Sequence, residues 1–385
     1  MYCNKGLKVL LFALLFVVLF SLQAVAEVEI NAEAAILIDA TTGDVLFELD
    51  SDKKWYPASM TKLMTLIVVL DLVEQGKFSL EEKVITSENA AGYGGAQLYL
   101  VAGEEFTLDD MLKAIILGSA NDASVAVAEH IAGNEADFAV LMNEKAREIG
   151  AVNTNFVNAH GLHHEDHFST ARDMALIAQY SLRFPKTLEY TSMKYYEFRE
   201  EPPTARYSLN RLLWWYPGAD GFKTGTTSVA KRNLVATASR DGLRLISVVM
   251  GIDEVNGHFR ESMKLLNYGF SRYTFKQFYA ENTVFGQARV GMGTEDFVDL
   301  IVVDNVGVTI LKGQDEGYTT KIIMRPYLSA PVAKGTVAGE LIIMKDGNEV
   351  KRFDLVTAKE VQRGSIVRMI TKVFRSVFTL SPTVI

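Results

Sequence analysis

From Ala58 to Glu74 the chain is apolar on nearly every face of the helix it spells (Leu63, Met64, Leu66, Ile67, Val68, Leu70), and Gly76 ends it. A helix with no polar side must lie in the middle of a domain, packed all round. At its head stands Pro57-Ala58-Ser59-Met60-Thr61-Lys62. The spacing of three puts Ser59 and Lys62 on one helix face. A serine hydroxyl is a weak nucleophile that needs an adjacent base. Lysine serves as that base when burial or nearby cations depress its pKa. The positive end of the helix dipole also favours the negative charge that develops during attack. Ser-x-x-Lys is nonetheless short, and Ser51-Asp52-Lys53-Lys54 and Ser228-Val229-Ala230-Lys231 match it too. The first of these lies in a polar turn and the second between strands. The Ser59 pair gains weight only with the pieces that follow.

A chain of 385 residues allows two or three domains with a sizeable core. The net charge of −8 is spread over mixed acids and bases without a long basic stripe, which argues against nucleic acid as a partner. Cys3 is the only cysteine, so intrachain disulfides and zinc-thiolate sites are excluded. Residues 1–26 read as a secretory signal: Lys5 and Lys8, an apolar run from Val9 to Leu22, then Ala24-Val25-Ala26 as the cleavage pattern. Removal after Ala26 is expected.

Along the chain, Ala34 to Asp39 and Val45 to Glu48 read as a hairpin. Gly92-Tyr93-Gly94-Gly95 reads as a flexible loop, without the Gly-Lys-Ser/Thr of a phosphate cradle. Thr107 and Asp110 cap a helix over Leu108 to Leu117, and a second helix is predicted from Asn121 to Ile131. Ser119-Ala120-Asn121 sits on the tight joint between them, where both polar side chains can turn into a cleft. Taken alone, they read as helix caps. Asn134 to Ile149 is a further helix. Asn158 to His167 gathers four of the six histidines; with Gly161 breaking the backbone and no helical His-x-x-x-His pair, it reads as a hydrogen-bonded surface loop without metal. Ser169 to Asp173 starts a helix that ends before Pro185, and residues 186–220 read as strand and loop, with Trp214-Trp215-Tyr216 assigned to core packing. Asp220 to Thr227 then leads into strands Arg232 to Ala238 and Leu243 to Val249, joined by Arg240-Asp241-Gly242. On such a strand Lys223 and Gly225 share a face, and Gly225 leaves room for a close approach to the backbone.

Ser-x-x-Lys at a helix start, Ser-x-Asn at an interhelical turn and Lys-Thr-Gly on a strand occur here in the order known from penicillin-binding proteins and class A β-lactamases. The chain resembles the low-molecular-mass D-alanyl-D-alanine carboxypeptidases, serine peptidases of the β-lactamase/transpeptidase-like superfamily. The match runs from about residue 30 to the C-terminus and includes Tyr56 to Lys62, Gly118 to Ala123, Asn158 to Leu162, Ser169 to Ala175 and Asp220 to Gly225. The resemblance implies an α+β catalytic domain over residues 27–274, an antiparallel sheet flanked by helices. It also assigns roles. Ser59 would attack the carbonyl between two terminal D-alanines, Lys62 would take its proton, and Ser119 would relay a proton to the leaving D-alanine. Asn121 would hold the substrate amide, Lys223 and Thr224 the terminal carboxylate, and the backbone N–H groups of Ser59 and Thr226 the oxyanion, with Gly225 between. Some family members carry histidine where this chain has Thr226. His258 and Arg260 are further basic residues of interest near the carboxylate site.

No cofactor or metal is expected. The implied partners are peptidoglycan stem peptides and, as covalent inhibitors, β-lactam antibiotics. D,D-endopeptidase action, β-lactamase action and a non-catalytic wall-binding role are the alternatives. Against a β-lactamase stands the lack of a Glu-x-x-Leu-Asn pattern between the second and third motifs.

After about Arg272 the pattern changes to short alternating strands, which predicts a small all-β sandwich over 275–363. The remainder, 364–385, reads as an amphipathic helix. Ile366, Ile370, Val373, Phe374 and Val377 fall on one side, and Arg368, Lys372 and Arg375 on the other. Too short and charged to span a bilayer, it should lie at a membrane surface, peripheral on the outer face of the cytoplasmic membrane.

Overall fold

In the computed structural model, which describes residues 28–368 and residue 370, the predicted central helix is the pivot of the first domain. It starts as a 3-10 turn, Ala58–Thr61, and continues as an α-helix, Lys62–Glu74. Every residue from Lys62 to Leu70 is buried, as an all-round apolar pattern requires. Around it pack the helices Leu108–Leu117, Asn121–Ala132, Glu135–Ile149 and Ala171–Ser181. Thr107, Asn134 and Thr170 each cap the helix that follows through the side-chain oxygen.

Beside this bundle lies a five-stranded antiparallel sheet in the order Val45–Leu49, Ala34–Asp39, Leu243–Ile252, Lys231–Arg240, Ala219–Thr227. Strand alternation divides the apolar side chains between two cores. Ala34, Ile36 and Ile38 face the helix bundle, whereas Ala35 and Leu37 face Leu265 and Leu266 of the helix Gly257–Arg272 on the other side. Ala219–Thr227 is an edge strand, and the turn bearing Ser59 packs against it.

Residues 186–220 hold more than the expected strand and loop. Pro185 sits in the first turn of a helix to Thr191, a position where its missing N–H costs nothing. Trp214 and Trp215 are not core residues: each is 47% exposed, while Tyr216 alone of the three is buried. The aromatic run is on the short helix Leu212–Trp215, and a helix can bury only one side of such a run.

The second domain follows the helix Gly257–Arg272 without a linker, beginning with the strand Tyr273–Tyr279. That strand pairs with Val306–Leu311, and opposite them lies a six-stranded sheet in the order Tyr318–Met324, Val337–Lys345, Asn348–Thr357, Phe297–Ile301, Val284–Gly291, Tyr327–Ser329. Val290, Leu300, Val308, Leu341 and Leu355 fill the space between them. The strands over 273–279 and 284–291 exceed the sequence-based expectation, because their alternation is blurred by half-buried tyrosine, phenylalanine and lysine. The two domains meet at the turn after Ala34–Asp39. There the Thr309 hydroxyl donates to Asp39 Oδ2, and Lys351 Nζ donates to the Thr42 carbonyl at 2.6 Å. Burial raises the Asp39 carboxyl above the usual range, so its remaining donors matter.

The expected leader over 1–26 and most of the expected amphipathic helix over 364–385 lie outside the described residues. No helix among the described residues is long and apolar enough to cross a membrane.

Thr309→Val should leave the buried Asp39 carboxylate short of a donor. The expected loss is about 1–3 kcal/mol of stability, read as a lower urea midpoint at unchanged m-value.

Candidate active site

Lys62 is fully buried, and its Nζ lies within hydrogen-bond distance of three oxygens: the His160 carbonyl at 2.6 Å, Asn121 Oδ1 at 2.7 Å and Ser59 Oγ at 3.2 Å. Residues 59 and 62 share the 3-10 turn, in which positions three apart eclipse each other. Burial holds the Lys62 pKa well below the ordinary lysine range, and the positive charge of Lys223 adds to this; Asp122 and Glu135 oppose it. A neutral amine has two N–H donors and one lone pair. The two short contacts to His160 and Asn121 use the donors, which leaves the lone pair for the serine hydroxyl, the longest of the three contacts. Lys62 is therefore placed as a base toward Ser59.

Asn121 has both ends engaged: Oδ1 on Lys62, and Nδ2 donating to the Gly94 carbonyl at 2.8 Å. Its second amide N–H is left for another acceptor. Gly95, at φ +86, passes so close that an added Cβ would lie 2.8 Å from Asn121 Nδ2. The flexible-loop expectation for 92–95 thus understates its part in the site. The adjacent Asp122 is fully buried and accepts from the backbone N–H groups of Leu98 and Leu100 at 3.0 Å, tying that loop to the Asn121 helix. Ser119 is in the left-handed region at φ +58, and its buried Oγ has no hydrogen-bond partner among the described residues. Backbone strain of this kind costs about 1–3 kcal/mol and persists where the surroundings over-determine it.

The third element arrives from the sheet. Lys223 is 1% exposed, and burial pushes its pKa down to about 7. The only hydrogen bond of its side-chain nitrogen among the described residues is to the neighbouring Thr224 carbonyl at 3.3 Å. Gly225 lets the strand close on the turn that bears Ser59: a Cβ there would lie 2.5 Å from the Pro57 carbonyl and 3.0 Å from the Met60 nitrogen. Thr224 is buried and Thr226 is exposed. Asn233, paired with Gly225 across the sheet, donates to the Tyr56 carbonyl at 2.9 Å and accepts from Gly251 N at 2.8 Å. It fastens the approach to Ser59 onto the sheet.

The histidine-bearing segment is not wholly a surface loop. His163 and His164 are exposed, but His160 and His167 are buried. Gly161, at φ +86, passes over the nucleophile's turn so closely that a Cβ would meet the Ala58 carbonyl oxygen at 2.0 Å. Asn158 Oδ1 accepts from Gly161 N at 2.6 Å and so holds the bend. His167 Nδ1 accepts from Val157 N, which leaves Nε2 to donate to Thr61 Oγ1 at 2.7 Å. Burial pushes this ring down to about 3, so it stays neutral. Among the described residues no group of three metal-ligating side chains is found.

Of the residues expected at the site, Ser59, Lys62, Asn121 and the Lys223–Thr226 strand come together around the Ser59 turn. Ser119 stands two residues before Asn121 with its hydroxyl unclaimed. Arg260 is turned elsewhere, ion-paired with Glu254, while His258 is buried against Phe259. Sequence reasoning missed Asn233 and Glu135. A lone asparagine on a strand gives no signal, and a glutamate at a helix start reads as an ordinary partner of the dipole.

Residues 21–254 match the model of the D-alanyl-D-alanine carboxypeptidase family, and residues 273–363 that of the C-terminal domain of penicillin-binding protein 5. The D-alanyl-D-alanine carboxypeptidase DacF of Bacillus subtilis is 39% identical over 339 residues, 87% of each chain. Penicillin-binding protein 5 of Haemophilus influenzae superposes with a TM-score of 0.71 at 34% identity, over 88% of this chain and all of that one. The ampicillin-bound penicillin-binding protein D2 of Listeria monocytogenes gives 0.58 at 31% identity, covering 63% of this chain and 99% of that one.

Gly225→Ala should force the strand away from the Ser59 turn. A misplacement of about 1 Å costs on the order of a hundredfold in rate, so covalent labelling by a fluorescent penicillin should slow by that factor. Circular dichroism should show the fold retained.

Proposed function

The chain belongs to the D-alanyl-D-alanine carboxypeptidase family of serine hydrolases, and from that premise we propose how its residues divide the work. Ser59 Oγ attacks the carbonyl between the last two D-alanines while the Lys62 lone pair takes its proton. The carbonyl oxygen gathers negative charge between the backbone N–H groups of Ser59 and Thr226; one such donor is worth about 3–4 kcal/mol in a comparable enzyme. Collapse of the adduct breaks the C–N bond. Ser119, its hydroxyl free of other partners, passes the proton from Lys62 to the departing D-alanine nitrogen. Water then attacks the acyl-enzyme, releasing the shortened stem peptide and restoring Ser59.

Specificity for a chain end follows from the edge strand. Lys223 offers a positive charge and Thr224 a hydroxyl to a free carboxylate, while the free N–H of Asn121 suits the carbonyl of the substrate amide. The observation that carries the reading is the placement of Lys62, buried, depressed in pKa and bonded to Ser59 Oγ at 3.2 Å. A β-lactam presents a strained amide and a carboxylate in a similar relation, so the same serine should open its ring and stay acylated. The resemblance to an ampicillin-bound relative supports this.

We further propose that the protein acts outside the cytoplasmic membrane, attached to the membrane surface through residues 364–385. The signal-like start and the one-sided cations of that tail support the reading.

A fragment over 27–363 should release D-alanine from a peptide ending in D-Ala-D-Ala, and Ser59→Ala should abolish both release and penicillin labelling; release that persisted would sink the assignment. The pH profile should be bell-shaped. Activity rises as Lys62 loses its proton and falls above about 7 as Lys223 loses the charge that binds the carboxylate. Lys223→Gln should remove the alkaline limb. Deleting residues 365–385 should move the protein from the membrane to the soluble fraction on cell fractionation.

A further inference from the structure

Glu135 opens the helix Glu135–Ile149, but its carboxylate is turned toward the site. Oε1 accepts from Ala159 N at 3.2 Å and lies 3.0 Å from His160 Nε2; Oε2 accepts from the Tyr93 hydroxyl at 2.9 Å. These partners belong to the two segments that hold the reacting groups. Tyr93 precedes Gly94, whose carbonyl takes Asn121 Nδ2. Ala159 and His160 present the carbonyls taken by Thr65 Oγ1 and Lys62 Nζ, each at 2.6 Å. The Tyr93 and His160 rings also pack at 5.1 Å. One carboxylate thus ties the loop behind Asn121 to the segment behind Lys62.

We propose that Glu135 is a positioning residue for the acylation of Ser59. It holds the segment that presents the His160 carbonyl, through Ala159 N and the His160 ring, and the loop that presents the Gly94 carbonyl, through Tyr93. Lys62 and Asn121 then keep the geometry in which the amine's lone pair faces the serine hydroxyl. The proposal rests on the reading of Ser59 as nucleophile and Lys62 as base.

Charge enters as a second consequence. Lys62 is faced by Lys223 from the edge strand, Asp122 from the helix Asn121–Ala132, Glu135 from the next helix and His160 from the loop. Burial lowers the His160 pKa, against the pull of the Glu135 carboxylate. Burial works against the Glu135 charge, but the His160, Ala159 and Tyr93 contacts outweigh it and hold its pKa below the usual range. The negative charge of this carboxylate favours the protonated form of Lys62.

Two variants of the full chain separate position from charge. Glu135→Ala loses all three contacts. Glu135→Gln keeps an oxygen for Ala159 N and an amide for the Tyr93 oxygen, but carries no charge. Acylation by a fluorescent penicillin and D-alanine release are followed across the pH range, with melting temperatures recorded for each variant. Glu135→Ala should slow acylation by about ten- to a hundredfold, in kcat rather than KM. Glu135→Gln should recover most of that rate, with its acidic limb displaced to lower pH because Lys62 has lost a neighbouring negative charge. Glu135→Ala labelled as fast as wild type would overturn the proposal. So would a Glu135→Gln variant as slow as Glu135→Ala with an unshifted pH profile. A wild-type chain that failed to label, or a Ser59→Ala chain that labelled, would instead overturn the nucleophile assignment beneath it.

Discussion

A lysine nitrogen with no access to water is the constraint on which the rest of this structure depends. Burying an ammonium is expensive unless it is neutralised or surrounded by acceptors, and Lys62 has both remedies in part. Carbonyl and amide oxygens satisfy its N–H groups, and the second buried lysine makes a full charge at both positions costly. The solution favours a neutral amine whose free electron pair faces a hydroxyl. Stability and reactivity are not opposed here, because the arrangement that makes a buried lysine tolerable is the one that makes it a base.

Each acceptor around Lys62 comes from a different part of the chain, and that explains the architecture. Ser59 is on the same turn, Asn121 starts a helix 59 residues further on, and the His160 carbonyl belongs to a loop that crosses above. Bringing these segments and the Lys223 strand around one turn requires close backbone approaches, and glycine stands at each of them. Gly161 crosses the Ala58 carbonyl, Gly225 crosses the Pro57 carbonyl, and Gly95 passes the Asn121 amide. Non-glycine strain collects at the same place: Ala58 at φ +49 and Ser119 at φ +58 flank the nucleophile and the unpartnered hydroxyl. The apolar helix bundle and the sheet are the rigid bodies that hold these contacts against relaxation.

How much of this could be read from the residues depends on the range of the interaction concerned. The helix bearing Ser59 announced itself because its signal is local: an apolar run on every face with a stop at Gly76. The cap residues Thr107 and Thr170, the strand of Lys223 and the alternation of the β domain are local in the same sense. Trp214 and Trp215 misled because bulk alone suggests burial, whereas a four-residue helix at the surface can bury only one side. The histidine loop misled in the opposite direction. Its polar composition suggests solvent, but His160 and His167 are spent on contacts with Glu135 and Thr61, both far off in sequence. Asn233 and Glu135 were invisible for the same reason, since their partners lie up to 177 and 42 residues away and no periodicity marks such pairs.

Specificity and acylation are joined by the geometry of a single strand. Ala219–Thr227 lies at the sheet edge, so one of its sides is bonded to Lys231–Arg240 while the other is open. Gly225 lets the turn bearing Ser59 press on one face of that strand, and Lys223 stands two residues before it on the same face. On the reading proposed above, Lys223 and Thr224 supply the charge and the hydroxyl that select a chain end, and the edge strand holds both beside the Ser59 turn.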